Sequence, residues 1–232
     1  DVYRIPGHNA ELVSYMIKNK ANPECTILSI GAGTLLLQRT LQKGIDNVDI
    51  NPHMMEAGWQ SASQYGGRKI VAGASKLPED ICVMGEYDIV DCSYMLDLSK
   101  LYGEDKSNIY DSERLKILSQ IYASLRFNGT ALITLPQNSL SSESIERFSH
   151  ALTLMGFTVD KALTGKSYGR NTFGLLKRLG WSIVVQKIHE PSLDTLSLHD
   201  LQFELEKDEW ISYGPKKQKE IAIKKDPDDI LT

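Results

Sequence analysis

Residues 25–42, CTILSIGAGTLLLQRTLQ, give the clearest indication of the fold. This stretch opens with a short apolar run typical of a β-strand, bends through Gly31, Ala32 and Gly33, and continues as a helix-like apolar sequence. Where a parallel strand turns into a helix, backbone N–H groups meet at the carboxyl edge of the sheet, at which open α/β folds bind ligands. The two glycines therefore predict a ligand site, because side chains there would block close approach to the main chain. A purely structural tight turn is the alternative that this motif alone leaves open.

Strand and helix patterns alternate on both sides of this turn. β-prone runs occupy residues 46–50, 69–73, 87–92, 130–135, 157–164 and 181–188, and helical patterns occupy residues 8–20, 51–65, 112–125 and 142–155. Asn51 and Pro52 form a helix start, and Gly44 is placed to end the preceding helix. This order predicts an α/β fold with a mostly parallel sheet of about seven strands and helices on both faces.

Asp49 supplies a second binding signal. It lies at the end of the second predicted strand, about 20 residues after the glycine turn. A carboxylate at that spacing can accept hydrogen bonds from both hydroxyls of an adenosyl ribose. Because Asn51 and Pro52 already start the next helix, we expect Asp49 to be left free for a ligand. A helix-capping or solvated aspartate is the alternative.

Two motifs, ILSIGAGTLLLQRTL and VDINPHMM, together resemble the first two motifs of the class I S-adenosylmethionine-dependent methyltransferases. Further along, AGASKLP resembles the loop beside the adenine, YDIVDCSYMLDL the fourth strand with its active-site edge, and LRFNGTALIT the turn into the fifth strand. The resemblance covers residues 10–188. It implies a Rossmann-like seven-stranded sheet whose last strand, WSIVVQKI, is antiparallel, and S-adenosyl-L-methionine as the cofactor.

The resemblance also implies which residues hold that cofactor. The implied pocket consists of Gly31, Ala32, Gly33, Asp49, Ile50, Gly73, Ala74, Ser75, Asp91, Cys92 and Ser93. Ser29 stands where the family usually has an acidic residue, Leu35 where it has a third glycine, and Gly73 where an adenine-binding aspartate is common. These departures keep a second interpretation open, a non-catalytic cofactor-binding subunit that acts through a protein partner. A dinucleotide-dependent oxidoreductase is less favoured, because the two leucines after Thr34 interrupt its GxGxxG pattern.

Methyl transfer requires few catalytic side chains, because the protein mainly aligns the acceptor with the sulfonium methyl group and excludes water. Where the acceptor must lose a proton, the candidate bases at the edge of the fourth strand are Asp91, Tyr94 and Asp97. A wall of the cofactor pocket for Tyr94 and a turn for Asp97 are alternatives with at least the weight of catalysis. The methyl acceptor, whether a small molecule, a nucleic acid or a protein, is not identified by the sequence.

Composition fits a globular enzyme, since 41% of the 232 residues are hydrophobic and 24% are charged. No apolar run approaches the roughly 20 residues of a membrane helix and no secretory signal is visible, so we expect a cytoplasmic protein without membrane contact. Cys25, Cys82 and Cys92 lack metal-ligand spacing, the histidines are dispersed, and no metal is expected. Residues 1–189 form the predicted methyltransferase domain, and residues 190–232 form a C-terminal extension and tail.

Basic residues are the main indication of a partner. Lys166, Arg170, Lys177 and Arg178 lie around the last two predicted strands, and five lysines crowd residues 216–225 of the tail. A nucleic-acid contact through the Lys-rich tail or these strands is one hypothesis. The alternative is solvated charge diluted by neighbouring acidic residues.

The polar stretch SKLYGEDKSNIY, residues 99–110, is longer than a minimal connection and would overhang the acceptor site. A substrate lid and a decorated surface loop are equally open interpretations of it. Two signatures are absent from the sequence: the Asn/Asp-Pro-Pro-aromatic motif of many amino-methylating nucleic-acid enzymes, where TLPQ stands at residues 134–137, and a Pro-Cys pair suited to carbon methylation of pyrimidines. These absences make two classes of methyl acceptor less favoured without excluding either.

Overall fold

The computed structural model describes residues 6–19, 24–82, 85–93, 95–96, 107–136, 141–170 and 176–201. The helices described are α1 (Pro6–Asn19), α2 (Leu36–Leu41), α3 (Pro52–Ala62), α4 (Glu79–Cys82), α5 (Ser107–Ser124) and α6 (Ser142–Leu154). The strands described are β1 (Ile27–Ile30), β2 (Asp46–Asp49), β3 (Lys69–Val71), β4 (Tyr87–Ser93), β5 (Leu125–Pro136), β6 (Phe157–Val159), β7 (Gly165–Arg170) and β8 (Leu176–Lys187). None of these helices is both long and apolar enough to cross a membrane.

The strands form one sheet in the order β3-β2-β1-β4-β5-β8-β6, and β7 pairs with β8 beside this path. Strands β1 to β5 are parallel to one another, whereas β8 is antiparallel to β5, β6 and β7. The predicted mostly parallel sheet with an antiparallel last strand is therefore confirmed. The chain proceeds outward from β1 to β3 and then returns to place β4 on the other side of β1. Sheets of this kind bind ligands at the carboxyl ends of the strands beside such a reversal, here β1 and β4.

The antiparallel end of the sheet differs from the sequence prediction. The run predicted as one strand over residues 157–164 ends at Val159, because Asp160 turns the chain: its Oδ1 accepts hydrogen bonds from the N–H groups of Ala162 and Leu163 at 2.9 and 3.2 Å. A separate strand, β7, follows this turn. It pairs with the first part of β8, which the sequence assigned to a connection. The sheet thus has a seven-stranded path with β7 added at its side.

Helix α2 also ends earlier than predicted. Gln42, not Gly44, adopts the left-handed conformation after the helix, with φ 51°. Gly44 is needed for space instead, because a Cβ there would lie 2.9 Å from the Tyr65 carbonyl oxygen. The predicted start of α3 is confirmed, since the Asn51 side chain accepts hydrogen bonds from two backbone N–H groups and Pro52 occupies the first helical position.

Apolar layers cover both faces of the sheet. On one face, fully buried residues of α5 and α6, including Leu118 and Phe148, share a cluster with Leu28 of β1. On the other face, Val13 and Met16 of α1 share a cluster with residues of β1, β4, β5 and β8. Each fully buried side chain of this size contributes about 1.5–3 kcal/mol of transfer free energy. Buried polar residues within β1 and β4 are therefore exceptions in an apolar core, and they lie at the site described below.

The chain after β8 packs back onto the domain. Two short 3-10 helices, Leu193–Thr195 and Leu198–Leu201, follow the sheet, and the second contacts α5 and α6. Arg114 is 6% exposed. Its guanidinium donates hydrogen bonds to the carbonyl oxygens of Leu96 and Leu201, at 3.0 and 3.2 Å, and to Asp111 Oδ1 at 3.1 Å. One buried cation therefore joins the segment after β4, helix α5 and the C-terminal segment. The tail lysines lie outside the described residues.

Candidate functional site

The glycine turn lies at the carboxyl end of β1 and is fixed to the neighbouring strand. The N–H groups of Gly31 and Ala32 both donate to the Val48 carbonyl oxygen, at 2.9 and 3.0 Å. Gly31 and Gly33 have φ values of 77° and 52°, a conformation that side chains disfavour. A Cβ on Gly31 would also lie 2.7 Å from the Cγ and Sδ atoms of Met95. Glycine is therefore required at residue 31 for both backbone conformation and space.

Asp49 is bonded directly to this turn. Its Oδ2 accepts the Gly33 N–H at 2.8 Å, and its Oδ1 accepts the Asn51 N–H at 2.8 Å. The turn and the carboxylate thus converge on one point, as the sequence predicted. Asp49 is not free of protein partners, however, because the chain bends after β2 and aims the Asn51 N–H back at it. A carboxylate oxygen accepts about two hydrogen bonds, so each oxygen retains capacity for one more donor.

Two exposed apolar side chains flank Asp49 at the same edge. Ile50 is 67% exposed, and Val71, the register partner of Asp49 on β3, is 54% exposed. Exposed aliphatic side chains beside a polar anchor fit a ligand that has a flat apolar face. Ile50 was among the predicted pocket residues, whereas Val71 was missed. The three-residue strand β3 is too short for its alternation to show in the sequence which side chain is left uncovered.

The predicted adenine loop follows β3. Gly73 and Ser75 are half-buried, and Ala74 is buried. A Cβ added to Gly73 would meet nothing within 4 Å, so the loop leaves open space at this residue. The Glu113 carboxylate accepts hydrogen bonds from Lys116 and from Ser75, and both bonds lower the pKa of Glu113. The hydroxyl of Ser75 is therefore tied to helix α5.

Leu35 stands where the resembled glycine motif has its third glycine. It has φ 57°, a left-handed conformation that costs a non-glycine residue about 1–2 kcal/mol, and its side chain is fully buried. Burial against Met55 and Ala62 of α3 offsets this cost. The glycine needed for close approach is on the facing helix: a Cβ on Gly58 would lie 2.2 Å from the Thr34 carbonyl oxygen. The leucine at residue 35 is thus accommodated by the close contact between the glycine turn and α3.

A buried carboxylate lies beside Ser29, the position at which the resembled motif has an acidic residue. Ser29 and Asp91 are register partners on β1 and β4, and Ser29 Oγ donates to Asp91 Oδ2 at 3.2 Å. Ser93 Oγ lies 3.1 Å from both carboxylate oxygens. Asp91 is 3% exposed, and the two hydroxyl donors stabilise its negative charge. An acidic group therefore remains at this point of the sheet edge, one strand away from residue 29.

Cys92 contributes its backbone to the edge and its side chain to the core. It is fully buried in the same apolar cluster as Leu28, and burial raises the pKa of its thiol. Of the candidate bases, the structure places Asp91, while Tyr94 and Asp97 lie outside the described residues. The predicted lid also lies largely outside them. Its last part, from residue 107 onward, is the first turn of α5 rather than loop.

The described residues contain no group of three or more histidine, cysteine, aspartate or glutamate side chains placed to hold a metal ion. The chemistry available at the edge is that of two carboxylates, backbone N–H groups and aliphatic surface. This set can bind a ligand with hydroxyl donors, a cation and a flat ring.

Solved methyltransferase structures share this fold. A protein assigned as an RNA methyltransferase from Pyrococcus horikoshii aligns with a TM-score of 0.56 and 16% identity, over 80% of this chain and 85% of that one. An amino pentose methyltransferase from Micromonospora echinaspora, solved with S-adenosylmethionine bound, aligns with a TM-score of 0.51 and 11% identity, over 78% and 90%. An S-adenosylmethionine-dependent methyltransferase from Aquifex aeolicus aligns with a TM-score of 0.51 and 10% identity, over 81% and 92%.

At the level of sequence, no family model and no curated protein matches the chain. The structural likeness nevertheless extends over most of the chain and over most of each of these proteins. The chain therefore has the Rossmann-like fold of the class I S-adenosylmethionine-dependent methyltransferases, and the resemblance inferred from its motifs is confirmed for the fold.

Proposed function

We propose that the chain binds S-adenosyl-L-methionine at the carboxyl edge of β1, β2 and β4 and transfers its methyl group to an acceptor. The observation that supports this most directly is the hydrogen bond from the Gly33 N–H to Asp49 Oδ2, at 2.8 Å. It brings a ligand-binding turn and a carboxylate with spare acceptor capacity to one point, at the edge where folds of this kind bind nucleosides.

The residues at the edge match the parts of this cofactor. Asp49 can accept hydrogen bonds from the ribose hydroxyls, and the exposed side chains of Ile50 and Val71 can cover a face of the adenine. Asp91, held by Ser29 and Ser93, can bind the ammonium group of the methionine portion through a charge-assisted hydrogen bond. Each of the three chemical parts thus has a complementary partner among the described residues.

When bound, S-adenosylmethionine supplies an electrophilic methyl group on a sulfonium. The chain then has to orient an acceptor and exclude water. For Asp91 we propose the anchoring role rather than that of a base, because it is bonded to Ser29, the position at which the resembled motif carries its acidic residue.

Calorimetry on the full chain tests the cofactor site. Asp49→Ala removes the ribose acceptor and should weaken S-adenosylmethionine and S-adenosylhomocysteine binding by about 1.5–3 kcal/mol, roughly 10- to 150-fold. Asp194→Ala, at an exposed carboxylate of the C-terminal segment, is the matched control and should bind like the wild type. Absence of binding by the wild-type chain at millimolar cofactor would end the proposal.

A second pair of ligands separates the two carboxylates. Adenosine has the ribose and adenine but lacks the ammonium group. Asp49→Ala should therefore weaken adenosine and S-adenosylmethionine alike, whereas Asp91→Asn should weaken only S-adenosylmethionine, by about tenfold for a charged hydrogen bond of ~1.5 kcal/mol. Equal losses for both ligands in Asp91→Asn would contradict the assignment of Asp91.

Transfer is tested with S-adenosylmethionine labelled in the methyl group and pools of RNA, DNA, protein and metabolites. Label in one pool, lost in Asp49→Ala, supports methyl transfer. Tight cofactor binding without label in any pool would instead favour the non-catalytic subunit. The structural comparisons do not favour that alternative.

A further inference from the structure

Three hydroxyl side chains form a row across the sheet at the carboxyl end of β4. Ser93, the last residue of β4, is the register partner of Thr134 on β5, and Thr134 is the register partner of Ser182 on β8. Register partners have their side chains on the same face of a sheet. At about 4.8 Å per strand, the row is roughly 10 Å long. We call Ser93, Thr134 and Ser182 the hydroxyl row.

The hydroxyl row lies on the α1 side of the sheet, next to Asp91. Asp91 and Ser93 are two residues apart on β4 and so share a face, and Ser93 Oγ lies 3.1 Å from both carboxylate oxygens. Leu132 and Val184, on the same face of β5 and β8, belong to the buried apolar cluster of α1. The apolar layer under α1 therefore ends in polar groups at the carboxyl edge, beside the proposed cofactor site.

Ser182 is the unusual member of the row. It is 1% exposed, and among the residues that the structure describes its Oγ has no hydrogen-bond partner. Buried hydroxyls in native proteins are with few exceptions hydrogen-bonded, so this one indicates a partner outside the chain. A buried water molecule and a bound ligand are the two kinds of partner to be distinguished.

Open space borders Ser182 on the side away from β5. Its register partner on β7 is Gly165, and a side chain there would lie on the same face as that of Ser182. A Cβ built on Gly165 meets no described atom within 4 Å. The φ of Gly165 is outside the left-handed region, so its backbone does not require glycine. The residue instead leaves room beside the Ser182 hydroxyl.

We propose that the hydroxyl row binds the methyl acceptor and that this acceptor is a small polar molecule without phosphate groups. The inference rests on the proposed function, because it requires S-adenosylmethionine to bind beside the row. Hydroxyls both donate and accept hydrogen bonds, so they suit a hydroxyl, amine or amide of the acceptor. The row carries no positive charge for a phosphate, and the neighbouring Asp91 opposes one. Thr134 and Ser182 are almost completely buried, as in sites that enclose most of a small ligand.

The hydroxyl row orients the acceptor and takes no part in the bond changes. A lone pair on the acceptor's nitrogen or oxygen forms the new bond to the methyl carbon. The carbon–sulfur bond breaks with its electron pair left on sulfur, and the acceptor's proton passes to water.

Methyl-labelled S-adenosylmethionine and a whole-cell extract, separated by size into metabolites and macromolecules after the reaction, test the inference on the full chain. The wild-type chain should place the label in the metabolite fraction. Ser182→Ala should lower the rate of labelling by about tenfold, because one hydrogen bond to the acceptor is lost. Its affinity for S-adenosylmethionine, measured by calorimetry, should stay within about twofold of the wild type. Its urea midpoint should equal or exceed that of the wild type, because a buried hydroxyl without a described partner is removed.

Ser124→Ala is the matched control. Ser124 is also fully buried, but it lies directly before β5, at the opposite edge of the sheet, and its Oγ donates to the Ile121 carbonyl oxygen at 3.0 Å. This variant should label metabolites within about twofold of the wild-type rate. If Ser182→Ala does not fold, Thr134→Val removes the central hydroxyl of the row at nearly constant shape and makes the same test.

The outcomes separate this inference from the proposed function. Absence of cofactor binding, or of label in either fraction, would contradict both. Label only in macromolecules would overturn the small-molecule acceptor alone. A wild-type rate of labelling by Ser182→Ala would overturn the hydroxyl row alone and would indicate a buried water as the partner of Ser182.

Discussion

The two ends of the sheet's carboxyl edge are built in different ways. At β1 and β2 the edge is fixed by backbone hydrogen bonds, with Gly31 and Ala32 bound to Val48 and Gly33 bound to Asp49. At β7 and β8 it consists of a two-stranded extension rich in lysine and arginine. The first end depends on contacts that fix atoms within a few tenths of an ångström, whereas the second depends on the pairing of β7 with β8. We therefore expect substitutions to be costly at the first end.

The largest effect is expected for Gly31→Ala. The left-handed φ and the contact with Met95 both oppose a Cβ, so the free energy of unfolding should fall by about 3 kcal/mol, measured by urea denaturation. Gly73→Ala is the matched control, because a Cβ there meets nothing within 4 Å and should change stability by less than about 0.5 kcal/mol. Equal stability of the two variants would contradict the rigid turn.

A smaller effect is expected at Leu35, where the informative result is which of two variants is the more stable. Leu35→Ala and Leu35→Gly both lose the buried side chain, but only glycine relieves the left-handed backbone at φ 57°. Leu35→Gly should therefore be more stable than Leu35→Ala by about 1 kcal/mol in thermal unfolding. The reverse order would mean that the turn relaxes to another conformation once the side chain is removed.

The sequence predicted the β1–β2 end well because its signals are local. The glycines before α2, the carboxylate at the end of β2 and the Asn51-Pro52 helix start each define their own short segment. The contact between Ser29 and Asp91 could not be predicted, because it depends on the register of β1 against β4, residues far apart in the sequence. For the same reason, the sequence showed that Leu35 replaces the third glycine of the motif. It could not show that a glycine of α3 provides the space for this turn.

The antiparallel end was predicted only in outline. Strand β8 showed as an apolar run, but its first residues are basic and glycine-containing and have no strand pattern of their own. They become a strand because β7 pairs with them, and β7 exists because Asp160 ends β6. A segment whose structure depends on a partner strand carries little of that information in its own residues.

Arg114 bears on how far the polypeptide can be shortened. Its buried guanidinium has Leu201 as one of its acceptors, so a polypeptide cut before that residue would lose one bond of a desolvated cation, at about 1–3 kcal/mol. A cut just after it would spare this bond and remove the lysines of the tail. Comparing the unfolding free energies of the two truncated forms thus measures how much this single contact at the end of the described segment contributes to stability.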